Sequence, residues 1–236
     1  MDTPPLSIPL YLSQSQDCDY LPGQKSQSAF IDPAKAVSAD LYEHLLGLGF
    51  RRSGQLIYKP YCENCQQCVP CRLPMHSFKA SRSQKRIIKL NSDLTTRVIP
   101  AKFNQEHFDL YLKYQNFRHL GGSMEKFDQT SYKDFICGSI EQQASFIETR
   151  LNDQLLAIAV TDIFKHANSA VYTFFEPEQQ KRSLGTYSIL KQIELTQQQQ
   201  KAFLYLGYFI ENCQKMAYKD NFKPLEIYQD ENWIIK

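Results

Sequence analysis

Residues 145–175 read SFIETRLNDQLLAIAVTDIFKHANSAVYTFF, and this stretch decides the fold class. Three runs within it are rich in β-branched and aromatic residues: Ser145–Arg150, Leu155–Phe164 and Ala170–Phe175. Turn formers separate them, Asn152-Asp153 after the first run and His166-Ala-Asn-Ser169 after the second. Short runs of that composition, bounded by such residues, predict successive strands. Just downstream, Leu184, Tyr187, Leu190 and Ile193 recur every three or four residues, which predicts a helix over 183–197 with one buried stripe. Phe203–Tyr208 predicts a further strand, and the Gln197–Gln200 run reads as a solvated helix end.

Working back from this stretch, residues 104–120 predict an amphipathic helix. Phe108, Tyr111, Leu112, Gln115 and His119 fall near one face, and Gly121-Gly122 lies beyond its end. Residues 129–140 predict a second helix. From Pro100 onward the order is therefore helix, helix, three strands, helix, strand. That order suits an α/β (α+β) domain of the acetyltransferase-like (GNAT-type) kind better than a doubly wound dinucleotide fold. Neither GxGxxG nor GxxxxGK[ST] occurs, so nothing indicates NAD or ATP. The pattern changes near Pro100, and a division into a smaller Cys-rich N-terminal module (1–98) and a catalytic domain (99–236) is expected. In the first part, residues 1–30 read as loop around the turn Leu21-Pro22-Gly23. Residues 38–50 predict a helix with Ser38 as N-cap, and Gln55–Lys59 a short strand.

The 236 residues are 42% apolar and 13% aromatic, enough for a sizeable core. A net charge of +2 excludes a polycation, so any nucleic-acid site must come from local clustering. No window approaches ~18 uninterrupted apolar residues and no secretory pattern opens the chain, so no membrane partner and a cytoplasmic location are expected. In that compartment the seven cysteines are expected to be reduced or metal-bound.

Three stretches can carry chemistry. Cys62, Cys65, Cys68 and Cys71 follow at two-residue intervals. Thiolates so spaced can wrap a soft metal or an iron–sulfur cluster, or can simply be small buried residues of a tight loop; no metal ligand is assigned. Between Lys79 and Arg97 lie six basic residues and one acidic one, Asp93. Arg82, Gln84, Lys85, Arg86 and Lys89 can donate to phosphates, although a solvated face would look the same. Finally, Tyr172-Thr-Phe174-Phe175-Glu-Pro177 runs from a strand into Arg182-Ser183-Leu-Gly185-Thr-Tyr187 at a helix start. Backbone N–H groups freed there suit the oxyanion of an acyl transfer, and an ordinary packing corner is the other reading. Tyr187 stands where the acyl-CoA loop of acetyltransferases has a small residue, which disfavours CoA. The five histidines form no recognisable nucleophile–base motif.

Longer strings carry a resemblance. Cys18-Asp-Tyr20-Leu-Pro-Gly23, Gly49-Phe-Arg51-Arg52-Ser-Gly54, Tyr58-Lys-Pro60 and Ser81-Arg-Ser-Gln84-Lys-Arg86 resemble the N-terminal module of the tRNA-dependent protein transferases of the N-degron pathway. Tyr172–Pro177, Arg182–Tyr187, Tyr205-Leu-Gly-Tyr208 and Met216-x-Tyr218-Lys219 resemble their C-terminal module. The chain is most similar to the bacterial leucyl-tRNA–protein transferases over residues 10–235. The resemblance implies an aminoacyltransferase that conjugates leucine from Leu-tRNA to proteins with N-terminal Asp or Glu, in N-end rule degradation. The eukaryotic relatives, which transfer arginine, carry adjacent cysteines in the region near Cys68, linked to metal or cluster binding; here the adjacent position is Val69. Under this reading Tyr172, Ser183, Gly185, Tyr205 and Lys219 are expected at the catalytic centre. Arg51, Arg52, Arg72 and Phe174 are expected at the substrates, with the basic segment on tRNA. Arginyl transfer to the same termini and a non-catalytic metal-knuckle RNA-binding protein are the alternatives.

Overall fold

A computed structural model of the chain describes residues 8–118, 128–138 and 140–236; the expected helix end at His119 and Gly121-Gly122 lies outside them. The strands and helices run β1 (Leu10–Leu12), β2 (Gln16–Asp17), β3 (Lys25–Ser26), β4 (Ser28–Ile31), α1 (Ala39–Gly47), β5 (Arg51–Ser53), β6 (Leu56–Pro60), β7 (Val69–Pro74), α2 (Arg82–Leu90), β8 (Thr95–Pro100), α3 (Gln105–Arg118) and α4 (Gln129–Tyr132). They continue with β9 (Ala144–Leu151), β10 (Gln154–Ile163), β11 (Ala167–Phe175), α5 (Leu184–Gln198), β12 (Phe203–Phe209), α6 (Gln214–Ala217), β13 (Glu226–Gln229) and β14 (Asn232–Ile235). A π-helical turn, Lys133–Cys137, extends α4, and 3-10 turns cover Pro177–Arg182 and Tyr218–Asn221.

One eight-stranded sheet, ordered β14-β13-β7-β12-β11-β10-β9-β8, organises the molecule. All its neighbours are antiparallel except β11 and β12, which are parallel with α5 as their crossover. This mixed α/β arrangement has the helix crossover expected from the order of elements. Strand periodicity explains the layering. Leu204, Leu206 and Phe209 of β12 join Leu73 under Ile189, Leu190 and Ile193 of α5. Tyr205 turns the other way, toward α1 and β6, with Tyr42, Leu46 and Ile57. Farther along, Phe108, Tyr111 and Tyr114 of α3 pack on Phe146, Ile158, Val160 and Phe174. Each such side chain contributes ~1.5–3 kcal/mol through burial.

Several expectations are corrected. Residues 1–30 are not wholly loop, because β1 and β4 build a second sheet, β1-β4-β6-β5, with the β5–β6 hairpin. Strand β7 precedes residue 98 and β8 spans it, and both belong to the large sheet. The basic segment begins with a regular helix, α2. Ser81 accepts from the Gln84 N–H, and the Gln84 side chain returns to the Ser81 N–H at 2.8 Å, a reciprocal cap. No helix among the described residues is long and apolar enough to cross a membrane.

Candidate active site

The parallel pairing of β11 with β12 covers only Ala167↔Phe203, Asn168↔Leu204 and Ser169↔Tyr205. Beyond Ser169 the two strands part. Strand β11 stays with β10 and β12 with β7, and each of those pairings shifts register there, between Val160 and Thr161 and between Tyr205 and Gly207. A fork of this kind releases backbone N–H and C=O groups that an unbroken sheet would pair. Gly207 sits at the bulge with φ +88°, and a Cβ added to it would meet no atom within 4 Å. On the other prong, Gln115 Nε2 donates to the Tyr172 hydroxyl at 3.1 Å, and burial pushes that phenol far up, so it stays neutral. Helix α5 starts close to the end of β11 because residue 185 is glycine: a Cβ there would stand 3.1 Å from the Phe175 ring.

Lys219 is buried against the far half of β12. Its Nζ donates to the Tyr208 carbonyl at 2.7 Å and lies 3.3 Å from Met216 Sδ. Burial pushes this ammonium down to about 8; the Cys71 thiol opposes that shift and the Arg51 charge adds to it. Arg51 is also buried. Its Nη1 donates to Ser169 Oγ at 3.2 Å, and its guanidinium carbon lies 5.4 Å from the centre of the Tyr205 ring. Arg51, Ser169, Tyr205 and Lys219 thus gather around the fork.

The other expected substrate residues are committed elsewhere. Arg52 forms a bidentate pair with Asp162, both bonds 2.6 Å, and also donates to the Gly54 and Gly138 carbonyls; it is a structural tie, not an open cation. Arg72 pairs with Glu226 at 2.7 Å and is stacked on the Phe203 and Trp233 rings. Phe174 is fully buried in the core beneath α3, so no substrate reaches it. Ser183 adopts a left-handed conformation (φ 51°, ψ 46°) and gives α5 no side-chain cap. Of the N–H groups expected to be open past β11, that of Glu178 is taken by the Glu176 carboxylate at 3.1 Å. Tyr187, set against CoA, fills a core between Leu94, Leu156 and Leu184.

On α2, Arg82, Lys85, Arg86 and Lys89 are all exposed. Gln84 points inward, where its Nε2 donates to the Asn221 carbonyl at 3.0 Å, so it serves packing rather than tRNA. That hydrogen bond also sets the start of the basic helix beside the 3-10 turn that carries Lys219.

A cavity of about 930 Å³ opens between the small sheet and the β12 and β13 strands. Cys18, Cys62, Cys65 and Cys68 line it, with Tyr58 and Tyr208. Burial and neighbouring thiols push the Cys68 thiol up to about 12. Cys62 Sγ is occupied by the Gln27 backbone, at 3.5 Å from its N and 3.6 Å from its O. Among the described residues no three His, Cys, Asp or Glu side chains converge as ion ligands. No chemistry is routed through a metal or cluster here. All seven cysteines are free.

Sequence reasoning did not single out Tyr58, Ser169 or Asp162. One signal was available for the arginines: adjacent strand residues point to opposite faces, so Arg51 and Arg52 had to have different neighbours.

The family profile described as arginine-tRNA-protein transferase, N terminus, matches residues 16–86, and the profile for the C terminus matches residues 106–229. A protein of Pseudomonas fluorescens (strain Pf0-1) named aspartate/glutamate leucyltransferase is 41% identical, covering 97% of each chain. Proteins of the same name from Teredinibacter turnerae (43%; 96% of this chain, 93% of that one) and Hahella chejuensis (42%; 97% of each) are equally similar. Among solved structures, FemX superposes with a TM-score of 0.46 at 10% identity, over 84% of this chain and 79% of that one.

Proposed function

Because the chain belongs to the arginine-tRNA-protein transferase family, we propose that it takes leucine from Leu-tRNA and joins it to proteins that begin with Asp or Glu. It is an aminoacyltransferase. The observation that carries the choice of leucine and of acidic termini is the likeness, over nearly the whole chain, to aspartate/glutamate leucyltransferases. The product would enter N-end rule degradation, and the donor places the reaction in the cytoplasm.

In the reaction the α-amine nitrogen attacks the ester carbonyl carbon of the leucyl group. A C–N bond forms, the C–O bond to the terminal ribose breaks, the amine gives up a proton and the ribose oxygen receives one. The ester is already activated, so no nucleotide triphosphate is needed. An α-amine with a pKa near ~8 is partly nucleophilic at neutral pH, so the enzyme works mainly by positioning and by stabilising the oxyanion. The fork between β11 and β12 supplies backbone donors for that oxyanion. Lys219, with its proton held loosely at about 8, is placed to take the amine proton when neutral. The exposed cations of α2 hold the tRNA backbone, and the uncapped start of α5 suits a phosphate near its 3′ end.

The test is direct. Purified protein is incubated with Leu-, Arg- or Phe-tRNA labelled in the amino acid, and with peptides beginning with Asp, Glu, Arg or Ala. Label from Leu-tRNA should appear on the Asp and Glu peptides. Label from Arg-tRNA on those peptides would make the chain an arginyltransferase, and label on the Arg peptide would reverse the acceptor assignment.

A further inference from the structure

We propose that Arg51 is the receptor for the side-chain carboxylate of the acceptor's first residue, reached through the cavity that Tyr58 and Tyr208 close. The proposal rests on the reading that acceptors begin with Asp or Glu, and it adds which group recognises them and where.

The first argument is charge. Arg52, Arg72, Arg97, Arg150 and Arg182 each face a carboxylate: Asp162, Glu226, Glu148, Glu106 with Glu148, and Asp93. Arg51 is only 6% exposed, and among the described residues it has no carboxylate partner. Its Nη1 has the Ser169 hydroxyl, and its Nη2 has no hydrogen-bond partner among the described residues. Buried guanidinium groups are ordinarily paired, since desolvation without a counterion is costly. The other charge near the fork does not compensate. Lys219 is a second buried cation, held by a carbonyl and a thioether, and Asp162 is consumed by Arg52. Among the described residues no negative charge is left over for Arg51, and a substrate can bring one.

The second argument is access. Arg51 stands opposite Tyr58 in the β5–β6 register, so both side chains lie on one face. Tyr58 and Tyr208 have ring centres 6.3 Å apart, and both line the cavity, as does Gly49, whose carbonyl accepts from the Tyr208 hydroxyl at 3.0 Å. Arg51 is not itself among the lining residues, and Tyr58, which faces it across the β5–β6 pair, forms the wall between them. About 930 Å³ is ample for the first residues of an extended peptide.

The third argument is position. Arg51 is held by Ser169 and Tyr205, the last pair joined before β11 and β12 separate. A carboxylate bound there would leave the α-amine of the same residue beside the fork. Arg52 and Arg72, already paired, can do neither.

A tRNA phosphate is the other anion that could fill the site, and the experiment separates the two. Wild type, Arg51→Met and Arg51→Lys are compared in kcat/KM for peptides beginning with Asp, Asn, Glu and Gln, at saturating Leu-tRNA. The Kd for Leu-tRNA and the thermal transition are measured on each. Wild type should favour Asp over Asn on the order of 30-fold or more. Arg51→Met should bring that ratio within about threefold, with the Leu-tRNA Kd unchanged and the thermal transition at or above wild type. Arg51→Lys should keep an intermediate ratio, because an ammonium retains charge and loses the bidentate fork. An unaltered Asp/Asn ratio in Arg51→Met, or in Arg51→Lys should the Met variant not fold, overturns the proposal. An unaltered ratio with weakened Leu-tRNA binding overturns it in favour of phosphate. A wild type that does not discriminate Asp from Asn removes instead the acidic-terminus reading on which the proposal stands.

Discussion

Arg51 and Arg52 are consecutive residues of β5, yet among the described residues only Arg52 has a carboxylate partner. The Arg52–Asp162 pair is fully enclosed, and it ties the small sheet to β10. Breaking such a pair leaves the partner charged and unsatisfied, at a cost of about 3–5 kcal/mol. Arg52→Met and Asp162→Asn should each lower the urea midpoint by that equivalent, and the double variant should cost less than the two together. Additive losses would mean that the pair is not coupled. Which of the two arginines finds Asp162 could not be read from the chain, because the partners are 110 residues apart and meet only once the sheets have assembled. Gln84 shows the converse. Its place three residues after Ser81 already spelled a reciprocal cap, but the surrounding positive charge drew it into the tRNA reading.

Helix α2 presents one function outward and another inward. Arg82, Lys85 and Arg86 are exposed, whereas Gln84 is buried and fastens the helix start to Asn221. Changing the three cations to Ala should weaken tRNA binding and reduce the slope of log K against log salt by roughly one for each phosphate that the variant no longer neutralises. Gln84→Ala should leave the slope unchanged and lower stability by about 1 kcal/mol through loss of the cap. Equal slopes for the triple variant and wild type would remove α2 from the interface. The elements predicted from residues 145–208 were legible because their periodicity and turns are local. Strand β7 was not: Pro70 and Pro74 disfavour a strand by composition, and only pairing with β12 and β13 makes it one. Strand β13 depends on the distant β7, and among the described residues β14 pairs only with β13.

Across the whole molecule, one buried carboxylate joins three elements. Glu148 of β9 accepts from Arg97 of β8, from Arg150 and from His107 of α3. Burial alone would raise its pKa, but the hydrogen bonds from Arg150, Arg97 and His107 hold it down at about 2. A carboxyl held below its ordinary value contributes stability above about pH 4.5, and that contribution is lost as pH falls toward 2. Glu148→Gln should therefore be less stable than wild type at pH 7, and the difference in urea midpoint should shrink between pH 5 and pH 2. A constant difference over that range would show that Glu148 is not the acid-sensitive group.

The insertion of β7 between β12 and β13 has a consequence for the newborn chain. A ribosome releases Val69–Pro74 long before Phe203–Phe209 and Glu226–Gln229 exist, at ~5–20 residues per second an interval on the order of ten seconds. During that interval Cys71 and Leu73, which end up beneath α5, have no partner of their own. The central sheet can close only once Glu226–Gln229 has been made, and a chain terminated before Phe203 would lack the fork altogether. It would not be a weakened enzyme but an unfinished one, with a bare strand exposed to whatever chaperone or protease reaches it first.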